Sequence, residues 1–283
     1  MAMLAGMAAV DDPHPQTWTS SNLVGVPAPL LASTTFNRHP LPLAIASTRE
    51  AQPGLFALLD TCPAAPEAAA VFEHYMELAF GLQPGSGAGG GSGGEGRRWR
   101  TSYLKLLQGW GLDSNGGAGA VLKGWVESRF GIAPWFHKAP LARFPSPAWV
   151  DYLTEKAASR WQNNCIQQQL DLLYEFCQWS IARWQPFGSG PHVALWRATT
   201  RADEQLIEGA LRQGAQAVMR LNNLVSFALE REQADCFGDW MLHARVPTAK
   251  LLFYPGLLHA GALAGESEVL AIGGDYDVEL AYA

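Results

Sequence analysis

Four residues in the last third of the chain, Arg197, Ser226, Glu266 and Glu268, combine side-chain type and setting in ways that can do chemistry. Arg197 lies in the apolar run HVALWRAT (192–199), where a strand puts it on the same face as Val193 and Leu195. A guanidinium on that face is costly to desolvate alone and needs an anion. A structural carboxylate meets that need, and so does a diphosphate, whose oxygens match the planar fork. Ser226 sits in LVSFA (224–228), where a small hydroxyl is ordinarily a tolerated core position and says little by itself. Glu266 and Glu268 open the run ESEVLAIGG (266–274) at a spacing of two, which puts both carboxylates on one face of a strand. Such a pair repels itself and calls for a cation, a metal or a catalytic use, unless both acids are simply solvated at the strand entrance.

The elements that must position these residues fall into two halves. From about residue 55 to 184 the spacing of apolar residues is mostly helical. Val71, Phe72, Tyr75, Met76 and Ala79 form one stripe, with Pro66 near its start. Tyr103, Leu104, Leu106, Leu107 and Trp110 form a second, with Gly111 as a stop signal, and Ser146-Pro147 reads as a helix start. The clearest helix runs from about Asn164 to Trp184, with Ile166, Leu170, Leu173, Tyr174, Cys177, Ile181 and Trp184 on one face. After Gly188 and Gly190 the period shortens, and 192–199, 224–228, 240–246, 250–254 and 268–274 read as strands, with a helix at 202–221 between the first two. The fold class is therefore α+β, with a helical region over 1–187 and a β-rich region over 188–283.

Composition narrows the function. The 283-residue chain is 48% hydrophobic and 16% charged with a net charge of −6, which suits a globular protein and argues against general nucleic-acid binding. Eleven Trp residues suggest aromatic packing and some aromatic surface for a protein partner, with GIAPWFHKAP (131–140) as one candidate. The cysteines Cys62, Cys165, Cys177 and Cys236 form no CxxC pair; Cys165 and Cys177 read as buried free thiols. The histidines lack metal-ligand spacing, and His74 with Glu77 reads as a surface pair, so no metal is expected. QPGSGAGGGSGGEG (83–96) reads as a flexible loop, and its GxGxxG at Gly85, Gly87 and Gly90 lacks the strand before it that a dinucleotide fingerprint requires. The N-terminal MAMLAGMAAV has no basic flank and is too short to span a bilayer, so a cytoplasmic location is expected.

The order Arg, Ser, Glu-x-Glu resembles the Arg–Ser–Glu signature of the ADP-ribosyltransferase superfamily, in which arginine-modifying members carry two glutamates one residue apart. Longer segments are similar to the dinitrogenase reductase ADP-ribosyltransferase family: SNLVGVPAPLLAS, SYLKLLQGWGLDSN, GAVLKGWVESRFG, FHKAPLARFPSPAWV, NNCIQQQLDLLYEFCQW, RLNNLVSF, KLLFYPGLL and GESEVLAIGGDYDV. These cover most of the chain from about Ser21 to Val278. The glycine-rich insert after Phe80 is longer than the resemblance leads one to expect.

The resemblance implies an NAD-binding ADP-ribosyltransferase core that moves ADP-ribose from NAD to an arginine of dinitrogenase reductase, the nitrogenase iron protein, and inactivates it when nitrogen fixation is wasteful. It implies regulation through a PII signalling protein and reversal by a separate glycohydrolase. On its pattern Arg197 holds NAD, Ser226 supports the nicotinamide side, Glu268 grips the nicotinamide ribose and Glu266 addresses the target arginine. Phe227 joins the NAD-binding candidates as a ring able to stack on nicotinamide, although core packing competes there, as it does for Phe237 and Phe253. The alternatives are an arginine ADP-ribosyltransferase with another protein target, and a non-catalytic regulatory module that keeps the fold. The intact residue set argues against the latter.

Overall fold

The computed structural model describes residues 22–82, 101–158, 160–234, 238–259 and 268–283. Glu266, Phe237, Cys236 and the glycine-rich stretch 83–96 lie outside these residues. Four short helices, α1–α4 (Ala28–Leu31, Thr34–Arg38, Thr48–Ala51, Pro53–Asp60), lead into α5 (Ala65–Phe80), whose Phe72 and Met76 are fully buried. Next come α6 (Tyr103–Leu112), α7 (Gly117–Phe130), the small hairpin β1 (Phe136–His137) and β2 (Ala139–Pro140), then α8 (Pro147–Ala157) and α9 (Ile166–Trp184). Ser146 starts α8 as expected, its hydroxyl accepting from the Trp149 N–H. Two details differ from expectation. Gly111 does not stop α6, which continues to Leu112 and ends at Asp113. Cys165 is exposed, because it is the left-handed residue just before α9 and not part of its buried face.

The second half carries β3 (His192–Thr199), α10 (Ala202–Gln205), β4 (Leu206–Glu208), β5 (Gln216–Ala228), α11 (Arg231–Ala234), β6 (Trp240–Pro247), β7 (Leu251–Phe253) and β8 (Glu268–Tyr282). The helix expected over 202–221 is one turn only. Gly209 and Gly214, both at positive φ, turn the chain back on itself. Residues 216–221 then pair with β8 along their whole length. Helical spacing in that stretch loses to the hydrogen bonds and buried face that the sheet supplies.

The six-stranded sheet has the order β4-β5-β3-β6-β8-β7, with a further β5–β8 pairing, so β3, β6, β8 and β5 close on one another. β8 is the organiser: it pairs with β5 over most of its length, with β7 near its start and with β6 near its end. Its register against β5 shifts between Leu221 and Leu224. Gly273 and Gly274 allow that shift, since a Cβ on Gly273 would lie 1.6 Å from the Asn222 carbonyl oxygen and Gly274 has φ +117°. The largest apolar core among the described residues runs through both halves, from Leu31, Phe72 and Trp125 to Tyr174, Leu224, Val269 and Leu280, beside smaller clusters around Trp149 and Met241. No helix among the described residues is long and apolar enough to cross a membrane.

Candidate active site

Strand register brings the candidate residues together. In the β5–β8 ladder Ser226 faces Leu270 and Ala228 faces Glu268, so Ser226 and Glu268 are diagonal neighbours on one face. β3 meets β5 at the single pairing Trp196–Ala228, which sets Arg197 beside the same strand end. There the Arg197 Nη1 donates to the Ser226 carbonyl oxygen at 2.7 Å, while its buried Nε has no hydrogen-bond partner among the described residues. Burial pulls the Arg197 pKa down, and the Glu268 charge opposes that shift. Glu268 itself is buried at 6% exposure.

A fourth residue, which sequence reasoning placed only in an apolar stripe, completes the centre. Trp110 of α6 points its indole N–H at two polar side chains of the site, donating to the Ser226 hydroxyl at 2.8 Å and to Glu268 Oε1 at 3.1 Å. No pattern in the sequence separates Trp110 from an ordinary core aromatic. Phe227 alternates with Ser226 along β5; it borders the larger lobe of the cleft, and its ring packs in the core against Tyr276 at 6.1 Å between ring centroids.

The cleft has two lobes that meet at Trp110, Arg197 and Ser226. One, of about 370 Å³, is bounded by Trp196, Gln233, Glu268 and the residues from Gly111 to Ser114, at the end of α6 and just after it. The other, of about 210 Å³, is more polar and is bounded by Asn115, Lys123, Trp135, Arg201 and Asn222. Arg197 lines both. An acceptor oxygen at the Arg197 Nε would give that buried donor a partner.

Lys123 holds the polar lobe in shape. Its ammonium donates to Asn115 Oδ1 at 3.0 Å and the Phe136 carbonyl at 3.2 Å, and lies 3.3 Å from His137 Nδ1. Burial pulls its pKa down to about 7; Asp113 opposes that shift and Arg197 adds to it. Two asparagines at the register shift of β5 tie the sheet to this wall. Asn223 donates to the Lys123 and Ile132 carbonyls, and Asn222 accepts from the Trp135 N–H and donates to the Phe136 carbonyl. Trp135 is therefore a buried wall residue, 7% exposed, and not the surface aromatic expected from its loop. Among the described residues no group of three or more His, Cys, Asp or Glu side chains is placed to hold a metal ion.

The fold and cleft define an α+β protein in which an anion-seeking arginine, a serine and a buried glutamate converge from three strands. The chain belongs to the dinitrogenase reductase ADP-ribosyltransferase (DRAT) family, which it matches over residues 21–280. It is 46% identical to the NAD(+)--dinitrogen-reductase ADP-D-ribosyltransferase of Rhodospirillum rubrum over 277 residues, 98% of this chain and 100% of that protein. No solved structure matches the chain.

Proposed function

We propose that this protein transfers ADP-ribose from NAD to an arginine of dinitrogenase reductase and so switches nitrogen fixation off. The observation that supports this most is full-length similarity to a protein named for that reaction, together with Arg197, Ser226 and Glu268 at one cleft.

In this reading Arg197 anchors the NAD diphosphate and fixes the angle at which the scissile bond is presented. As the bond between nicotinamide and ribose breaks, nicotinamide leaves neutral with the electron pair and positive charge builds on the ribose. The buried Glu268 carboxylate stabilises that charge more than it stabilises intact NAD, which is the requirement for catalysis. The transition state resembles that of glycoside hydrolysis. The acceptor guanidinium is a poor nucleophile while protonated. Glu266, two residues before Glu268, orients it and takes its proton as the new carbon–nitrogen bond forms. Regulation through a PII signalling protein and a cytoplasmic location belong to the same reading.

The test is incubation with NAD labelled in its ADP-ribose portion and purified dinitrogenase reductase, followed by peptide mapping of the label. One labelled arginine is the expected result. Absence of label, or label on another type of residue, contradicts the proposal.

A further inference from the structure

We infer that Trp110 is a positioning residue for the reaction, its indole N–H holding the Glu268 carboxylate and the Ser226 hydroxyl in their working orientation from the helical half of the protein. The inference rests on Glu268 being the carboxylate that faces the ribose.

Three observations carry it. First, one N–H spans both polar groups, at 2.8 Å from Ser226 Oγ and 3.1 Å from Glu268 Oε1, and Trp110 is buried at 4% exposure. A carboxylate on a strand end retains side-chain rotation, and a fixed donor removes that freedom before substrate arrives.

Second, the indole is itself held. α6 starts at Ser102, whose hydroxyl accepts from the Lys105 N–H, and the Tyr103 N–H is accepted by the buried Gln169 side chain. Beside Trp110, Gly109 lets α6 lie directly on α7: a Cβ there would stand 2.6 Å from the Ala118 Cβ. The ring has the Lys123 ammonium 5.9 Å from its centroid. The residue is thus placed by the packing of α6 on α7.

Third, Trp110 lines both lobes of the cleft, so it borders both the side that holds Glu268 and the side that holds Lys123 and Arg201. Among the described residues, the charged groups that line the cleft beside Glu268 are Arg197 from β3, Arg201 just after β3, Lys123 from α7 and Asp113 at the end of α6.

The test is Trp110→Phe, which keeps a ring and removes the N–H, and in parallel 3-benzothienylalanine at position 110, which keeps the bicyclic shape as well. Initial rates of NAD hydrolysis are measured from pH 4 to 9, with thermal melting as a control for folding. The expected result is a kcat lower by about 10-fold or more, the value of one hydrogen bond to a charged group. KM for NAD should stay within about twofold, and the acidic limb of the kcat profile should move to higher pH, because the carboxylate has lost a donor that favours its charged form. Unchanged kcat and pH profile in either folded variant overturns the inference. So does a fall in kcat with the acidic limb unmoved, which is a packing effect, or a rise in turnover, which makes the indole an obstacle. Glu268→Gln in the same assay separates the two claims: if it retains full NAD hydrolysis, the catalytic reading fails whatever Trp110 does.

Discussion

The Arg197 guanidinium donates to the backbone carbonyl of Ser226 at 2.7 Å, so the arginine of one strand is indexed to the main chain of the strand that carries the serine. That bond fixes where the rest of the fork can point, at the junction of the two lobes of the cleft.

Arg197→Lys should therefore keep the fold and weaken NAD binding. One ammonium cannot both reach the Ser226 carbonyl and give a forked contact to phosphate. The loss should be about 1.5–3 kcal/mol, the scale of a hydrogen bond to a charged group. Calorimetric titration with NAD measures it. Unchanged affinity in a folded variant would reduce Arg197 to a structural partner of β5.

Trp135→Ala should destabilise the protein by about 3–5 kcal/mol, as large-to-small changes of buried aromatics do. Both NAD hydrolysis and protein modification should fall together with the folded fraction. A denaturant midpoint measured beside the two activities decides it. Selective loss of protein modification at wild-type stability would restore a surface role for this residue.

Those two residues also mark how far the sequence could be read. Arg197, Ser226 and Glu268 stand in runs whose alternation is local, so their strands followed from spacing, and β3 and β6 were expected nearly to the residue, whereas their grouping into one site came from the resemblance to a family. Residues 206–221 were misread as helix because β5 is made by pairing with β8, some 50 residues later, and no local period records that. Trp135 and Trp110 were illegible for a related reason. A tryptophan's burial and partners depend on which other elements come to it: Asn222 from β5 in one case, Ser226 and Glu268 in the other.

Stability should rise with pH between about 7 and 10. Lys250 is fully buried beneath the rings of Phe36 and Tyr276, with its ammonium donating to the Gly273 carbonyl at 3.2 Å. Burial pulls its pKa down to about 7, with Asp275 opposing, and Lys123 is shifted to about the same value. An unfolded lysine titrates near 10.5. Above pH 7 the unfolded chain therefore holds more protons than the folded one, and raising the pH favours folding. Near pH 10 the slope reverses, because Tyr103, Tyr152, Tyr174, Tyr254 and Tyr276 are held above their ordinary range by burial and lose protons more easily once unfolded. Lys250→Met should remove part of the rise, seen as a smaller increase in urea midpoint from pH 7 to pH 9. A variant that keeps the whole rise would assign it to other groups.

The central claim, that a buried carboxylate drives cleavage of NAD and its neighbour directs the ribose to arginine, is tested by measuring nicotinamide release and labelling of dinitrogenase reductase in one reaction for Glu268→Gln and Glu266→Gln. Glu268→Gln should lose both activities by roughly 10²–10³, the effect of removing one fixed electrostatic contact to the transition state. Glu266→Gln should lose labelling but keep slow nicotinamide release, since water needs no carboxylate to orient a guanidinium. Full NAD hydrolysis by Glu268→Gln, or normal labelling by Glu266→Gln, would contradict the account.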